Sequence, residues 1–208
     1  PLKSSVDVNY ASGDYSHTEF TFSMPSADVD ATVGYNIDVS SNSFTPSIDK
    51  ATYSPTGSLE PTKVNLKKGD TTYTLDATNN DFTISNATLD GNTVTEFNKA
   101  GTYSLTIQGG NGNIGTRAGI DYKVEAKNIA DATINASVTG SYSYTGSPIT
   151  PTLSVKDGST DLVSGATGDY IVSYKMLVNG AYSDVASTID AGAYQIVLKG
   201  QGNYKNER

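Results

Sequence analysis

The chain contains no cysteine and no tryptophan, one histidine and two methionines in 208 residues. Without cysteine there are no disulfides, no thiolate zinc sites and no cysteine nucleophile. That absence leaves the compartment open. Cations are scarce as well: 14 Lys and Arg face 22 Asp and Glu, a formal net charge of −8. A pI near 4.5 opposes nucleic-acid binding, which needs clustered Lys and Arg to displace counterions. No run of 18 apolar residues exists, so no helical membrane span is expected. The start, Pro1-Leu2-Lys3-Ser4-Ser5, has no signal-peptide apolar stretch and reads as a mature or trimmed terminus. Strong helix formers are thin on the ground, with five Glu and two Arg, and helical periodicity is hard to find.

What is present points to strands. Ser and Thr together make up 50 residues, and there are a further 14 Tyr, five Phe and 20 Gly. Apolar residues, Gly left out, are 36% of the chain, below the roughly 45–50% of globular domains, a range that includes Gly, so the cores are expected to be thin. Aromatic and β-branched residues recur throughout, which argues against disorder. Period-2 alternation appears in Glu19–Ser23, Tyr103–Gln108, Ile120–Glu125, Tyr170–Tyr174 and Tyr194–Leu198. Such segments suit a pleated, half-buried surface. Asp90-Gly91 and Asn179-Gly180 fit type I′ hairpin turns, and Gly69-Asp70 and Asp157-Gly158 are further turn signals. The expected class is all-β, as antiparallel sandwiches.

An internal repeat organises these signals. Tyr53-Ser54-Pro55-Thr56-Gly57-Ser58 is echoed by Tyr142-Ser143-Tyr144-Thr145-Gly146-Ser147, with the glycines 89 residues apart. Gly69 and Gly158, then Gly91 and Gly180, keep the spacing of 89. Ala100-Gly101-Thr102-Tyr103 matches Ala191-Gly192-Ala193-Tyr194 at 91, and Gly110-Asn111-Gly112-Asn113 matches Gly200-Gln201-Gly202-Asn203 at 90. A period near 90 is too long for a solenoid unit and suits a self-contained sandwich. The expected domains are 1–42, the C-terminal strands of a small β repeat; 43–126, an immunoglobulin-like sandwich; and 127–208, a second one. The join Lys127–Asp131 has no Gly or Pro run, so little hinge freedom and an end-to-end arrangement are expected. After Gly200-Gln201-Gly202-Asn203 only Tyr204–Arg208 follow, so the second sandwich is expected to lack its final strand. A chain boundary or a strand donated in trans would account for that.

The second unit resembles the bacterial immunoglobulin-like repeats of large surface proteins. The residues that carry the likeness are Asn128–Thr133, Tyr144-Thr145-Gly146, Pro151–Val155, Asp169–Tyr174, Ala191–Tyr194 and Gly200–Tyr204. The first unit matches with gaps, and Ile114 stands where Tyr204 stands in the second. Phe20–Val29 resembles the closing segment of another small all-β bacterial repeat, with its last strand at Ala31–Val39. The resemblance implies an exported, non-catalytic module at the bacterial cell surface or secreted, a monomeric segment of a larger chain. Such a module serves as a stiff spacer that projects an adhesive or other region. No catalytic or ligand residue is shared across that family. Two other readings remain open: a recognition module that binds a glycan or host protein through Tyr-rich surfaces, and an assembly module that exchanges strands.

The residues that could carry chemistry are few. His17, the only imidazole, sits in a polar stretch, and no Gly-x-Ser-x-Gly elbow accompanies it, so no catalytic triad is expected. Asp28 and Asp30 could share a strand face, but nothing marks a glycosidase pair. Calcium is the one ion considered, through Asp131 near the join or Asp157 with Asp161, although no Asp-x-Asp-x-Asp-Gly loop exists. Some surface sandwiches carry an internal Lys–Asn isopeptide bond, and with twelve Lys and many Asn candidates arise by chance. Tyr170, Tyr174, Tyr182 and Tyr204 are the rings available for a glycan platform; core packing is the alternative for each. No catalytic, cofactor-binding or metal site is assigned.

Overall fold

Strands follow one another, joined by tight turns and by longer loops such as 53–62 and 140–151, through residues 36–208, which the computed structural model describes. Glu19–Ser23, His17, Asp28 and Asp30, and the start of Ala31–Val39, lie outside the described residues. The first strands are β1 (Thr45–Ser47), β2 (Ala51–Thr52), β3 (Lys63–Lys68), β4 (Thr71–Asp76), β5 (Phe82–Leu89), β6 (Asn92–Thr93), β7 (Gly101–Gly109) and β8 (Thr116–Glu125). Then come β9 (Lys127–Asn128), β10 (Ile134–Thr139), β11 (Thr152–Asp157), β12 (Thr160–Asp161), β13 (Tyr170–Val178), β14 (Ala181–Val185), β15 (Tyr194–Gly200) and β16 (Tyr204–Lys205). Among the described residues the one helical element is a 3-10 turn at Ala77–Asn79. The protein is all-β.

Two sheets share the first core. One has the order β1-β3-β4, the other β2-β8-β7-β5-β6. Alternation explains what they bury: Val64 and Leu66 of β3, Tyr103, Leu105 and Ile107 of β7, and Ile120, Tyr122 and Val124 of β8 point inward. Their neighbours Asn65, Ser104, Asp121 and Lys123 point outward or lie half-buried. Phe97, Tyr103 and Tyr122 form an aromatic cluster, with ring centroids 5.0, 6.0 and 6.1 Å apart. Around the second core the sheets are β10-β11-β12, β14-β13-β15 and the short parallel pair β16-β9. The second core is the smaller: seven apolar residues are fully buried there against fifteen in the first.

Local geometry recurs at the spacing seen in the sequence. Asp90-Gly91 and Asn179-Gly180 both take two positive φ angles, 52° and 78° in one and 50° and 84° in the other. These are the I′ turns of the β5–β6 and β13–β14 hairpins. Gly69 and Gly158 both sit at φ 59° and open the β3–β4 and β11–β12 turns. The Tyr103 hydroxyl donates to the Lys99 carbonyl at 2.9 Å, and the Tyr194 hydroxyl to the Asp190 carbonyl at 2.8 Å, each four residues back.

The recurrence reaches further towards the N-terminus than the sequence indicates. Ser41 N–H donates to Asp38 O and Phe44 N–H to Ser41 O; ninety residues on, Asp131 N–H donates to Asn128 O and Ile134 N–H to Asp131 O. Val39 and Phe44 are buried in the first core as Ile129 and Ile134 are in the second. Asp38 bridges Ile114 in parallel, as Lys127–Asn128 pairs with Tyr204–Lys205. Ile37–Val39, read from the sequence as the end of a preceding repeat, thus packs with the first core. A short Ile-x-Val alternation is equally at home in either place, and only the pairing with Ile114 decides it.

Candidate functional site

A set of aromatic and polar contacts lies where the two cores meet. A single residue, Ala126, separates β8 from β9, so the chain passes from one core to the other without slack. Tyr53 follows β2, and its N–H donates to Glu125 O at 2.8 Å. Its ring stands edge-on to Tyr204, centroids 5.5 Å apart and planes at 79°, and touches both cores. Asn203 clamps from the other side. Its side-chain oxygen accepts Ala100 N–H at 2.8 Å and its carbonyl accepts Lys127 N–H at 2.9 Å. Glu125 completes the rim, facing Lys50 at 3.0 Å, Lys123 at 3.6 Å and Lys205 at 3.9 Å. The Lys50 hydrogen bond, with the three cations, holds the Glu125 carboxyl below its ordinary range. These rim pairs are solvent-screened and contribute little to stability.

Beneath the rim lies a buried polar network. The Lys127 ammonium sits 2.6 Å from Asp157 Oδ1, with the two side chains 15% and 4% exposed. The Tyr204 hydroxyl donates to the other oxygen, Oδ2, at 3.2 Å, and Thr133 Oγ1 lies 3.5 Å from Oδ1. Burial, with the Asp157 carboxylate alongside, pushes the Tyr204 hydroxyl far above the phenol range. The network ties β9, β11 and β16 together at the foot of the joint. Its oxygens are all engaged, and among the described residues no buried side-chain polar atom lacks a partner. The ammonium and the carboxylate thus act as a clasp between β9 and β11.

The candidates singled out from the sequence fall elsewhere or serve packing. Asp157, read as a turn residue, ends β11 and points inward to Lys127. Asp161 pairs with Lys156 on the opposite, solvent face, so Asp157 and Asp161 do not converge on one ion. Asp131 Oδ1 accepts the Thr133 N–H and hydroxyl, at 3.0 and 2.7 Å, and those bonds hold its carboxyl low. No group of three or more metal-type side chains forms among the described residues. Lys127, the buried lysine, faces a carboxylate and not an asparagine. Tyr170 and Tyr204 are core residues, Tyr174 is half-buried, and only Tyr182 of the proposed platform is exposed. The joint residues Tyr53, Lys127 and Asn203 escaped the sequence reading as site residues; the recurring Gly-x-Gly-Asn run was the signal that contained Asn203.

Four tyrosines make the fold sensitive to alkali. Burial raises the hydroxyls of Tyr53, Tyr122, Tyr170 and Tyr204 above the ordinary range. A tyrosine in the unfolded chain loses its proton near pH ~10, while the folded one keeps it. The stabilisation is therefore complete below that pH and lost above it, by about 1.4 kcal/mol per pH unit for each hydroxyl still protonated in the fold. The thermal midpoint is expected to hold steady from pH 7 to 9 and to drop steeply past 10, followed by circular dichroism. A level profile to pH 12 would contradict this.

Comparison with protein-family models, with curated proteins and with solved structures finds no match for the chain. The functional reading therefore stands on the residues and their geometry. No helix among the described residues is long and apolar enough to cross a membrane.

Proposed function

We propose that this chain is a non-catalytic spacer of an exported bacterial surface protein, built from tandem immunoglobulin-like sandwiches that hold another region away from its anchor. The observation that carries the reading is the joint. A one-residue connection, a two-way clamp through Asn203 and an edge-on tyrosine pair bind the two cores more tightly than simple tethering requires. Domains linked loosely move by default; an interlocked pair keeps its angle, and constant angle is what a spacer needs. The recurring Tyr103 and Tyr194 hydroxyl bonds back to the chain support the immunoglobulin-like part of the reading, because such a tyrosine corner marks that class of sandwich. The acidic, Ser/Thr-rich surface favours solubility outside the cell.

The absence of cysteine permits a direct test. Spin labels on Thr83→Cys and Ser173→Cys, one exposed site beside each core, are expected to give a narrow distance distribution by pulsed electron resonance. A broad distribution, of the width that a free linker produces, would sink the spacer reading.

A further inference from the structure

Three positions of the second core differ from the first as a set. Counted back by the repeat, at 89 or 90 residues, Lys127, Asp157 and Tyr204 stand where the first core has Ile37, Lys68 and Ile114. Ile37 packs on the first core, Lys68 ends β3, and Ile114 is half exposed. The first core therefore closes without an ammonium, a carboxylate and a phenol at these three places. In the second they are brought into contact. Lys127 Nζ lies 2.6 Å from Asp157 Oδ1, and the Tyr204 hydroxyl donates to Oδ2 at 3.2 Å.

The pair also differs from every other ion pair among the described residues. In each of those, one partner is at least 47% exposed, so its charge stays hydrated and its side chain moves. Lys127 and Asp157 are 15% and 4% exposed, and each is carried by a strand, β9 and β11. An amine and a carboxyl group held in contact react as though present at about 10⁵ M or more. That advantage is large enough to reverse the balance that favours hydrolysis of an amide in dilute water.

We propose that Lys127 and Asp157 condense to an amide that joins β9 covalently to β11. One ammonium proton passes to Oδ1 across the 2.6 Å hydrogen bond, leaving a neutral amine beside a neutral acid, the less costly state in a buried site. Nζ then attacks Cγ. The negative charge that develops falls on Oδ2, where the Tyr204 hydroxyl already donates. Oδ1 takes a second proton from the nitrogen and leaves as water. The C–N bond forms as the C–O bond breaks, both protons of the water come from the ammonium, and nothing is oxidised or reduced. The slight opening at Lys127 lets that water out. Before the bond closes, the pair has the energetics of a buried ion pair. The inference does not depend on the spacer reading, since a cross-link within the second core is compatible with any role for the joint.

Intact mass of the denatured 208-residue chain tests this. The mass is expected to lie about 18 Da, one water, below the value calculated from the sequence, and fragmentation to show the peptides of Lys127 and Asp157 joined. Lys127→Arg keeps the positive charge on a guanidinium that does not give up its proton, and is expected to have its calculated mass. Freshly expressed Tyr204→Phe is expected to form the bond ~100-fold more slowly than the parent. A parent chain at its calculated mass would overturn the proposal. A deficit of one water that persists in Lys127→Arg would assign the loss to ring closure at Asp157-Gly158, and overturn it as well. An unchanged rate in Tyr204→Phe would overturn the part given to the Tyr204 hydroxyl.

Discussion

Asp157→Ala is expected to destabilise the second core by about 3–5 kcal/mol, because it strands the Lys127 ammonium without its counter-charge. The change also removes the acceptor of the Tyr204 hydroxyl. Lys127 keeps slight access to water, which places the effect toward the lower end. A buried ion pair is not itself a large source of stability, since desolvation offsets most of the attraction. Replacing both partners together, Lys127→Met with Asp157→Leu, should therefore recover the part of the loss that comes from the stranded ammonium and leave about 1–2 kcal/mol for the Tyr204 hydroxyl, which Leu cannot satisfy. Urea unfolding of the three variants checks both statements. A single variant within about 1 kcal/mol of the parent would mean that the clasp is not formed in solution.

Tyr204→Ala removes the second-core ring against which the bridging Tyr53 stands edge-on, and is expected to cost about 3–5 kcal/mol, as aromatic truncations in packed sites do. Its effect on coupling is as informative as its size. Without that ring Tyr53 faces a cavity, and the second core should unfold at a lower temperature than the first. Calorimetry is expected to show two resolved transitions, the upper one little changed. Tyr204→Phe keeps the ring and loses only the hydroxyl bond to Asp157, so its cost should be about 1–2 kcal/mol with the coupling intact. If Tyr204→Ala lowers both transitions equally, or neither, the Tyr53–Tyr204 contact does not couple the cores.

Much of the strand content could be read from alternation, because it is local. Tyr103–Gln108, Ile120–Glu125, Tyr170–Tyr174 and Tyr194–Leu198 fall inside β7, β8, β13 and β15. The I′ turns at Asp90-Gly91 and Asn179-Gly180 are equally local, since two positive φ angles select those residues. β4 gave a weaker signal: most of its side chains face solvent, and Thr71-Thr72-Tyr73-Thr74 carries no clear alternation. The joint was illegible for a different reason. Lys127 and Asp157 are 30 residues apart, and Ala100 and Asn203 are 103 apart. Nothing local distinguishes a buried Asp before Gly from one in an ordinary turn. Asn113 and Asn203 end the same Gly-x-Gly-Asn run, yet Asn113 satisfies Ile37 N–H and Asp81 O, both within the first core. Asn203 reaches across to Ala100. One motif serves two purposes, and only the surroundings decide which.

The parallel pairing of β2 with β8 has a mechanical consequence. β2 lies near the chain's entry to the first core and β8 is its exit, and both run the same way. Drawing the two ends apart slides these neighbours lengthwise past each other, so their hydrogen bonds are strained together and must break in concert. Strands peeled from a hairpin would release theirs one at a time, under far less tension.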